Sequence, residues 1–86
     1  MDDFNKLKEL LDTQHDFPSV YVFKFIVPKE LVEDFEKLFK GAEELKLRNS
    51  KKGNYISLTA RVNVDSSDAV ISVYKQAAKY EKVISL

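Results

Sequence analysis

Apolar and polar residues alternate along the chain in a way that predicts several β-strands. The most apolar segment covers residues 19–27, where β-branched and aromatic side chains fill nearly every position. Its even positions include Lys24. Because an unpaired lysine is almost never fully buried, we expect the even face to be exposed. The odd face, which we expect to point toward the core, consists of Tyr21, Phe23, Phe25 and Val27.

Three further segments read as strands. Residues 44–49 alternate, with Leu45 and Leu47 predicted to point inward, and residues 55–64 place all their even positions on one apolar face. The turn between them, residues 50–54, offers Gly53 for a positive φ. A final short strand is predicted over residues 82–86.

Helical spacing of apolar residues predicts three helices. The first covers residues 3–14, has a narrow apolar stripe, and has Asp2 and Asp3 where acidic residues favour a helix start. The second covers residues 29–40, between Pro28 and Gly41. The third runs to about Lys79. Its cap is Asp65, Ser66 or Ser67, and its buried stripe is Val70, Val73, Tyr74 and Ala77.

After the first helix, the element order is β-α-β-β-α-β. Two helices at this spacing cover one face of a four-stranded antiparallel sheet, and right-handed crossovers give the strand order 4-1-3-2. The sequence therefore predicts an α+β, ferredoxin-like sandwich with an added N-terminal helix. We expect a single domain over residues 1–86, with residues 1–15 as a peripheral helix and residues 16–86 as the ferredoxin-like body.

Composition narrows the possible chemistry. The chain has no cysteine and one histidine, which excludes thiolate sites and any site that needs two imidazoles. His15, with Asp12 and Asp16, is more simply a surface-loop histidine than a metal ligand. We therefore expect no enzyme, with no catalytic residue, cofactor or metal site. The acidic start leads into an amphipathic helix rather than a signal peptide, and no apolar run is long enough to span a membrane, so we expect a cytoplasmic protein.

Charge is balanced overall but unevenly placed. Residues 1–47 contain seven basic and eleven acidic side chains, whereas residues 48–86 contain seven basic and three acidic ones. On the sheet face away from the helices, the cations Lys24, Lys46, Arg48 and Arg61 are expected to stand against Glu81 alone. The rest of that face is expected to hold Val20, Val22, Ile26, Tyr55, Ser57, Thr59, Asn63, Val83 and Ser85. Such a face is either a docking surface for an anionic or mixed partner or an ordinary solvated sheet.

An RNA-binding sheet is the alternative function for this topology. The RNP1 element has a basic residue, a glycine and alternating aromatics on the third strand. The matching residues here, 52–56, read Lys-Gly-Asn-Tyr-Ile, so Asn54 stands where an aromatic is required. Tyr21 is expected to point inward, which leaves Tyr55 alone for base stacking. The backbone of residues 51–54 could also cradle a phosphate, although a plain hairpin turn is the simpler interpretation.

The segment Ser-Lys-Lys-Gly-Asn-Tyr-Ile-Ser-Leu-Thr at residues 50–59 resembles the YbeD-like family, known as domain of unknown function 493. The likeness continues through Val62, Val64, Val70, Val73, Tyr74 and the ending Val-Ile-Ser-Leu at residues 83–86, and it includes Phe17-Pro18 and residues 21–24. It covers about residues 16–86. The resemblance implies a small bacterial cytoplasmic protein with a βαββαβ fold similar to ACT regulatory domains. Those domains usually bind amino acids near a glycine-containing turn after the first strand, and residues 27–30 here contain no glycine.

These observations lead to one hypothesis and one alternative. The hypothesis is a non-enzymatic regulatory or adaptor domain that binds a protein or a small anionic ligand through Lys24, Tyr55 and Arg61, with Lys52 at the rim. The alternative is a single-stranded RNA-binding module that uses the same sheet face. Homodimerisation, through edge strands or through Val20, Val22 and Ile26, stays open.

Overall fold

Helices cover one face of a four-stranded antiparallel sheet in the computed structural model, which describes residues 4–86. The strand order β2-β3-β1-β4 is the order that the sequence predicts, and the fold is the expected ferredoxin-like α+β arrangement. The elements are α1 (Phe4–Gln14), β1 (Ser19–Pro28), α2 (Val32–Glu36), β2 (Glu44–Asn49), β3 (Tyr55–Val64), α3 (Ser67–Ala77) and β4 (Ile84–Ser85). The predicted helix start at Asp2 and Asp3 lies outside the described residues.

The long central strands β1 and β3 carry the core. They pair antiparallel along their whole length, from Ser19 opposite Val64 to Pro28 opposite Tyr55. Residues directly opposite each other share a face, so the odd positions of β1 and the even positions of β3 point toward the helices together, as predicted. The buried core consists of Leu11, Phe23, Phe25, Val27, Val32, Phe35, Phe39, Leu58, Ala60, Val64, Val70, Ile71 and Ala77.

The predicted helix over residues 29–40 forms in three pieces. Only α2 is α-helical, and 3₁₀ turns flank it at Lys29–Leu31 and Lys37–Phe39. The backbone N–H of Lys29 donates to the carbonyl of Asn54 at 3.0 Å, which fixes the start of the segment to the β2–β3 turn. The apolar stripe still reaches the core, because Phe35 packs edge-on against Phe25 with ring centroids 5.0 Å apart.

The N-terminal helix α1 packs against α3. Leu11 is buried, and the Lys8 ammonium lies 3.1 Å from both the Ser67 hydroxyl and the Asp68 carboxylate. The hydrogen bond to Asp68 is the largest reason why the pKa of Lys8 is raised. Ser66 caps α3 by accepting a hydrogen bond from the Ala69 N–H, which selects one of the three predicted caps. The helix ends at Ala77, slightly before the predicted Lys79.

The last strand differs from the prediction in length and in facing. Only Ile84 and Ser85 form β4. Ser85 lies opposite the inward Phe25 and Ile84 lies opposite Ile26, so Ser85 faces the helices and Ile84 faces away from them. Val83 packs against the core on the helix side. The expected outward positions of Val83 and Ser85 are therefore wrong, and Glu81 lies in the turn before the strand.

Candidate binding face of the sheet

The sheet face opposite the helices, called the open face below, divides into a cationic half and an apolar half. Cross-strand pairs set the division, because opposite residues lie on the same face. On β2 and β3, Lys46 lies opposite Thr59 and Arg48 lies opposite Ser57. Thr59 in turn lies opposite Lys24 on β1. A shallow depression of about 510 Å³ is lined by Lys24, Lys46, Leu47, Arg48, Ser57 and Thr59.

Positive charge dominates this half. Glu44 is on the open face, opposite Arg61, and its carboxylate lies 3.8 Å from the Lys46 ammonium. The expectation that Glu81 would be the only opposing acid is therefore wrong. Within residues 4–86, no carboxylate lies at ion-pair distance from Lys24, Arg48 or Arg61. These cations are exposed and lie on three adjacent strands, so their fields add over the same surface.

The apolar half lies along β1 and β4. Val22 and Ile84 are each more than two-fifths exposed. The N–H of Leu86 donates to the carbonyl of Lys24 at 2.9 Å, which extends the β1–β4 pairing by one residue. The apolar side chains of this half are Val20, Val22, Ile26, Ile84 and Leu86. Lys24 lies between Val22 and Ile26 on β1, and Arg61 lies opposite Val22, so the apolar side chains directly border the cations. Exposed apolar side chains rimmed by charged ones are typical of protein interaction surfaces.

The residues singled out from the sequence fall into two places. Lys24 and Arg61 lie on the open face as predicted, on neighbouring strands. Tyr55 lies at the end of this face, opposite Pro28, and the residue is 43% exposed. Lys52 lies in the β2–β3 turn and lines a separate depression with Tyr55. Arg48 is also on the open face, as strand alternation predicts, next to Lys46. It was not among the candidate binding residues predicted from the sequence.

Aromatic residues are scarce on the open face. Tyr21 points inward, as predicted, and its hydroxyl is hydrogen-bonded to that of Tyr74. Tyr55 is the one aromatic that residues 4–86 place on this face, at its end. RNA-binding sheets of this topology use aromatics near the centre of the face for stacking. The open face therefore has the positive charge that RNA binding needs but lacks the central aromatic rings on which bases would stack.

The single histidine of the chain packs against aromatic side chains. The His15 ring has its centroid 5.9 Å from that of Phe17 and 5.8 Å from that of Tyr21. Within residues 4–86, the structure brings no three histidine or acidic side chains together as a metal site would require. No helix in that part of the chain combines the length and the apolar character needed to cross a bilayer.

Comparison with known proteins gives a family match. The model of a family described as "Protein of unknown function (DUF493)" matches residues 12–86. UPF0250 proteins of Haemophilus influenzae, from strains PittEE and Rd among others, are 32% identical over 87 residues, which covers 94% of this chain and 90% of each relative. No solved structure matches the chain significantly.

Proposed function

Because the chain belongs to the DUF493 family of proteins of unknown function, we infer its role from the residues on its surface. We propose that it is a non-enzymatic regulatory or adaptor domain. Its open face would bind an acidic segment of a partner protein. The single observation that carries this proposal is the division of that face into a half with unpaired cations and a half with exposed apolar residues. The proposal places the domain in the bacterial cytoplasm, as its family resemblance implies.

The charge of the face supports an acidic partner. Lys24, Arg48 and Arg61 have no carboxylate at ion-pair distance within residues 4–86, although the whole chain has zero net charge. Unpaired surface cations raise the local concentration of an anionic partner and speed its association. A partner that supplies carboxylates would form the ion pairs that the folded chain leaves unformed.

The apolar half favours a protein over a nucleic acid. Val22 and Ile84 would be desolvated by apolar side chains of a partner, and burial of apolar area is the main source of affinity in protein interfaces. A single-stranded RNA would instead require a row of stacking rings. Tyr55 at the end of the face supplies one ring, and Lys52 adds a cation at the rim.

Affinity capture from a nuclease-treated lysate of the native bacterium tests the proposal. The bait is the full chain, and the test variant is Lys24→Ser/Arg61→Ser. Both side chains are exposed, so we expect the double variant to fold. The matched control, Lys40→Ser/Lys79→Ser, also removes two positive charges from exposed sites.

We expect one or more proteins with acidic segments to be captured by the wild type and by the control, and to be lost with the Lys24/Arg61 variant. Binding of the purified partner should weaken as salt increases. Unchanged capture by the double variant would contradict the proposal. Capture from a parallel untreated lysate only, with direct binding of generic RNA oligomers at low salt, would favour the RNA alternative.

A further inference from the structure

Three lysines from three separate segments line one cleft at the end of the sheet. Lys29 directly follows β1, Lys52 lies in the β2–β3 turn, and Lys82 precedes β4. All three segments meet at this end because β1 finishes there while β3 and β4 begin there. The cleft, called the end cleft below, measures about 590 Å³ and is lined mainly by polar atoms.

The charge of the end cleft is positive. Among the described residues, Glu30 is the one acid that lines the cleft, together with Pro28, Gly53, Asn54 and Tyr55. Within residues 4–86, none of the three lysines has a carboxylate at ion-pair distance. Three lysines from independent segments therefore line a space in which Glu30 supplies a single negative charge against their three positive ones.

The walls of the end cleft are held in place. The Lys29 N–H donates to the Asn54 carbonyl at 3.0 Å, which joins the β1 end to the β2–β3 turn. That turn is closed by the Gly53 N–H donating to the Ser50 carbonyl at 3.0 Å, and Gly53 has a φ of 76° that favours glycine. The backbone from which two of the lysines project is therefore organised before any ligand arrives, which lowers the entropy cost of binding.

We propose that the end cleft binds the polyphosphate group of a small molecule. Lysine ammonium groups act as point charges for phosphate oxygens, and three of them match an anion that carries several negative charges. The exposed ring of Tyr55, at the edge of the cleft, offers a flat surface for a planar base, so a nucleoside polyphosphate fits the site more completely than a free inorganic polyphosphate. In this arrangement the lysine side chains contact the phosphate oxygens. The backbone of the turn after β1, which has no glycine, therefore does not need to approach the ligand closely.

The end cleft shares Tyr55 and Lys52 with the end of the surface that would bind an acidic protein, but the principal cations of the two sites differ. Lys24, Arg48 and Arg61 lie on the open face and are absent from the lining of the end cleft. Failure of one proposal therefore leaves the other standing, and different variants separate them.

Titration of the ¹⁵N-labelled full chain, followed by amide chemical shifts, tests the proposal with tripolyphosphate, ATP and adenosine as probes. We expect tripolyphosphate and ATP to shift the amides of Lys29, Gly53 and Asn54 in a saturable way, and adenosine to leave them unchanged. The affinity for both anions should fall at least about tenfold in the triple variant Lys29→Gln/Lys52→Gln/Lys82→Gln, because charge-assisted contacts are lost. Lys6→Gln/Lys40→Gln/Lys79→Gln removes the same charge from exposed sites elsewhere and should leave the affinity within about twofold.

Two more variants sharpen the result. If a base stacks on the ring, Tyr55→Ser should weaken the binding of ATP and leave the binding of tripolyphosphate unchanged. Equal affinities of the wild type and Tyr55→Ser for ATP would assign the site to the polyphosphate group alone and overturn the preference for a nucleoside. Lys24→Ser/Arg61→Ser should bind both anions as the wild type does. Equal weakening by the end-cleft triple variant and its control, or shifts spread over all lysine-bearing surfaces, would overturn the proposal by showing non-specific attraction. The same amide spectra report whether each variant is folded.

Discussion

The hydroxyl oxygens of Tyr21 and Tyr74 lie 3.1 Å apart, so a single phenol–phenol hydrogen bond joins the central strand β1 to helix α3. Tyr74 is half-buried, and burial is the largest reason why its pKa lies well above the ordinary value for tyrosine; the bond to Tyr21 raises it further. The folded chain therefore keeps Tyr74 neutral at a pH where the unfolded chain begins to lose this proton.

Alkaline pH should consequently destabilise the fold through Tyr74. The contribution is fully present below the unfolded pKa of about 10 and is lost as pH rises toward the folded value. We expect the free energy of unfolding to fall above about pH 10, by at most about 1.4 kcal/mol per pH unit for this one proton. Urea unfolding from about pH 9 to about pH 11 measures the slope.

The comparison variant for this slope is Tyr74→Phe. It lacks the titrating hydroxyl, whereas the other alkaline effects, including deprotonation of lysines, act on both proteins. We expect the variant to be less stable near neutral pH by about 1 kcal/mol, because the hydrogen bond to Tyr21 is lost, and to show a shallower alkaline slope. Identical slopes for the two proteins would rule out this role of Tyr74.

Docking of α1 should depend on one leucine and not on its neighbour. Leu11 is 4% exposed and belongs to the buried core, whereas Leu10 is 53% exposed. We expect Leu11→Ala to lower the free energy of unfolding by about 2–5 kcal/mol, and Leu10→Ala to change it by less than about 0.5 kcal/mol. Urea unfolding gives both values. Similar costs at the two positions would mean that α1 does not pack as described.

Replacement of the two glycines should separate backbone strain from packing. A Cβ at Gly53 or at Gly41 would meet no heavy atom within 4 Å, but only Gly53 has a positive φ. We expect Gly53→Ala to cost about 1 kcal/mol, because L-residues with a Cβ disfavour that region, and Gly53→Asn to cost less. Gly41→Ala serves as the control and should be close to neutral in thermal unfolding. Equal effects at both glycines would contradict the strain argument.

The fold and the facing of β1 were predictable because the chemistry of one position decided them. A lysine at position 24 within an apolar segment fixes which side of β1 meets water, and the β1–β3 register then fixes β3. The order of the four strands follows from the element order and the handedness of the crossovers. Lys24 and Arg61 on the open face could therefore be placed from alternation alone.

The end cleft could not be predicted in the same way. Lys29 lies in a 3₁₀ turn and Lys82 lies in the turn before β4, although they are the first residues of the predicted second helix and of the predicted last strand. The direction of a side chain at the end of an element is poorly defined by periodicity. Topology places their segments at one end of the sheet, yet convergence on one space depends on the length of each turn and on the bond between Lys29 and Asn54. Glu44, by contrast, was predictable from alternation, because the predicted strand begins at this residue and its neighbour Leu45 is predicted to point inward.

The corrected facing of β4 leads to a final prediction. Residues 83–86 have apolar side chains at Val83, Ile84 and Leu86, so alternation within the segment does not assign its faces. Pairing with β1 assigns them instead: Ile84 lies opposite Ile26 on the open face, and Val83 packs on the helix side. We expect Val83→Lys to lower the free energy of unfolding by about 1–3 kcal/mol, because a charge would enter a partly buried apolar site. Ile84→Lys should change it by less than about 0.5 kcal/mol. Urea unfolding of both variants decides the matter, since the reverse ranking would restore the outward position of Val83 that the sequence alone suggested.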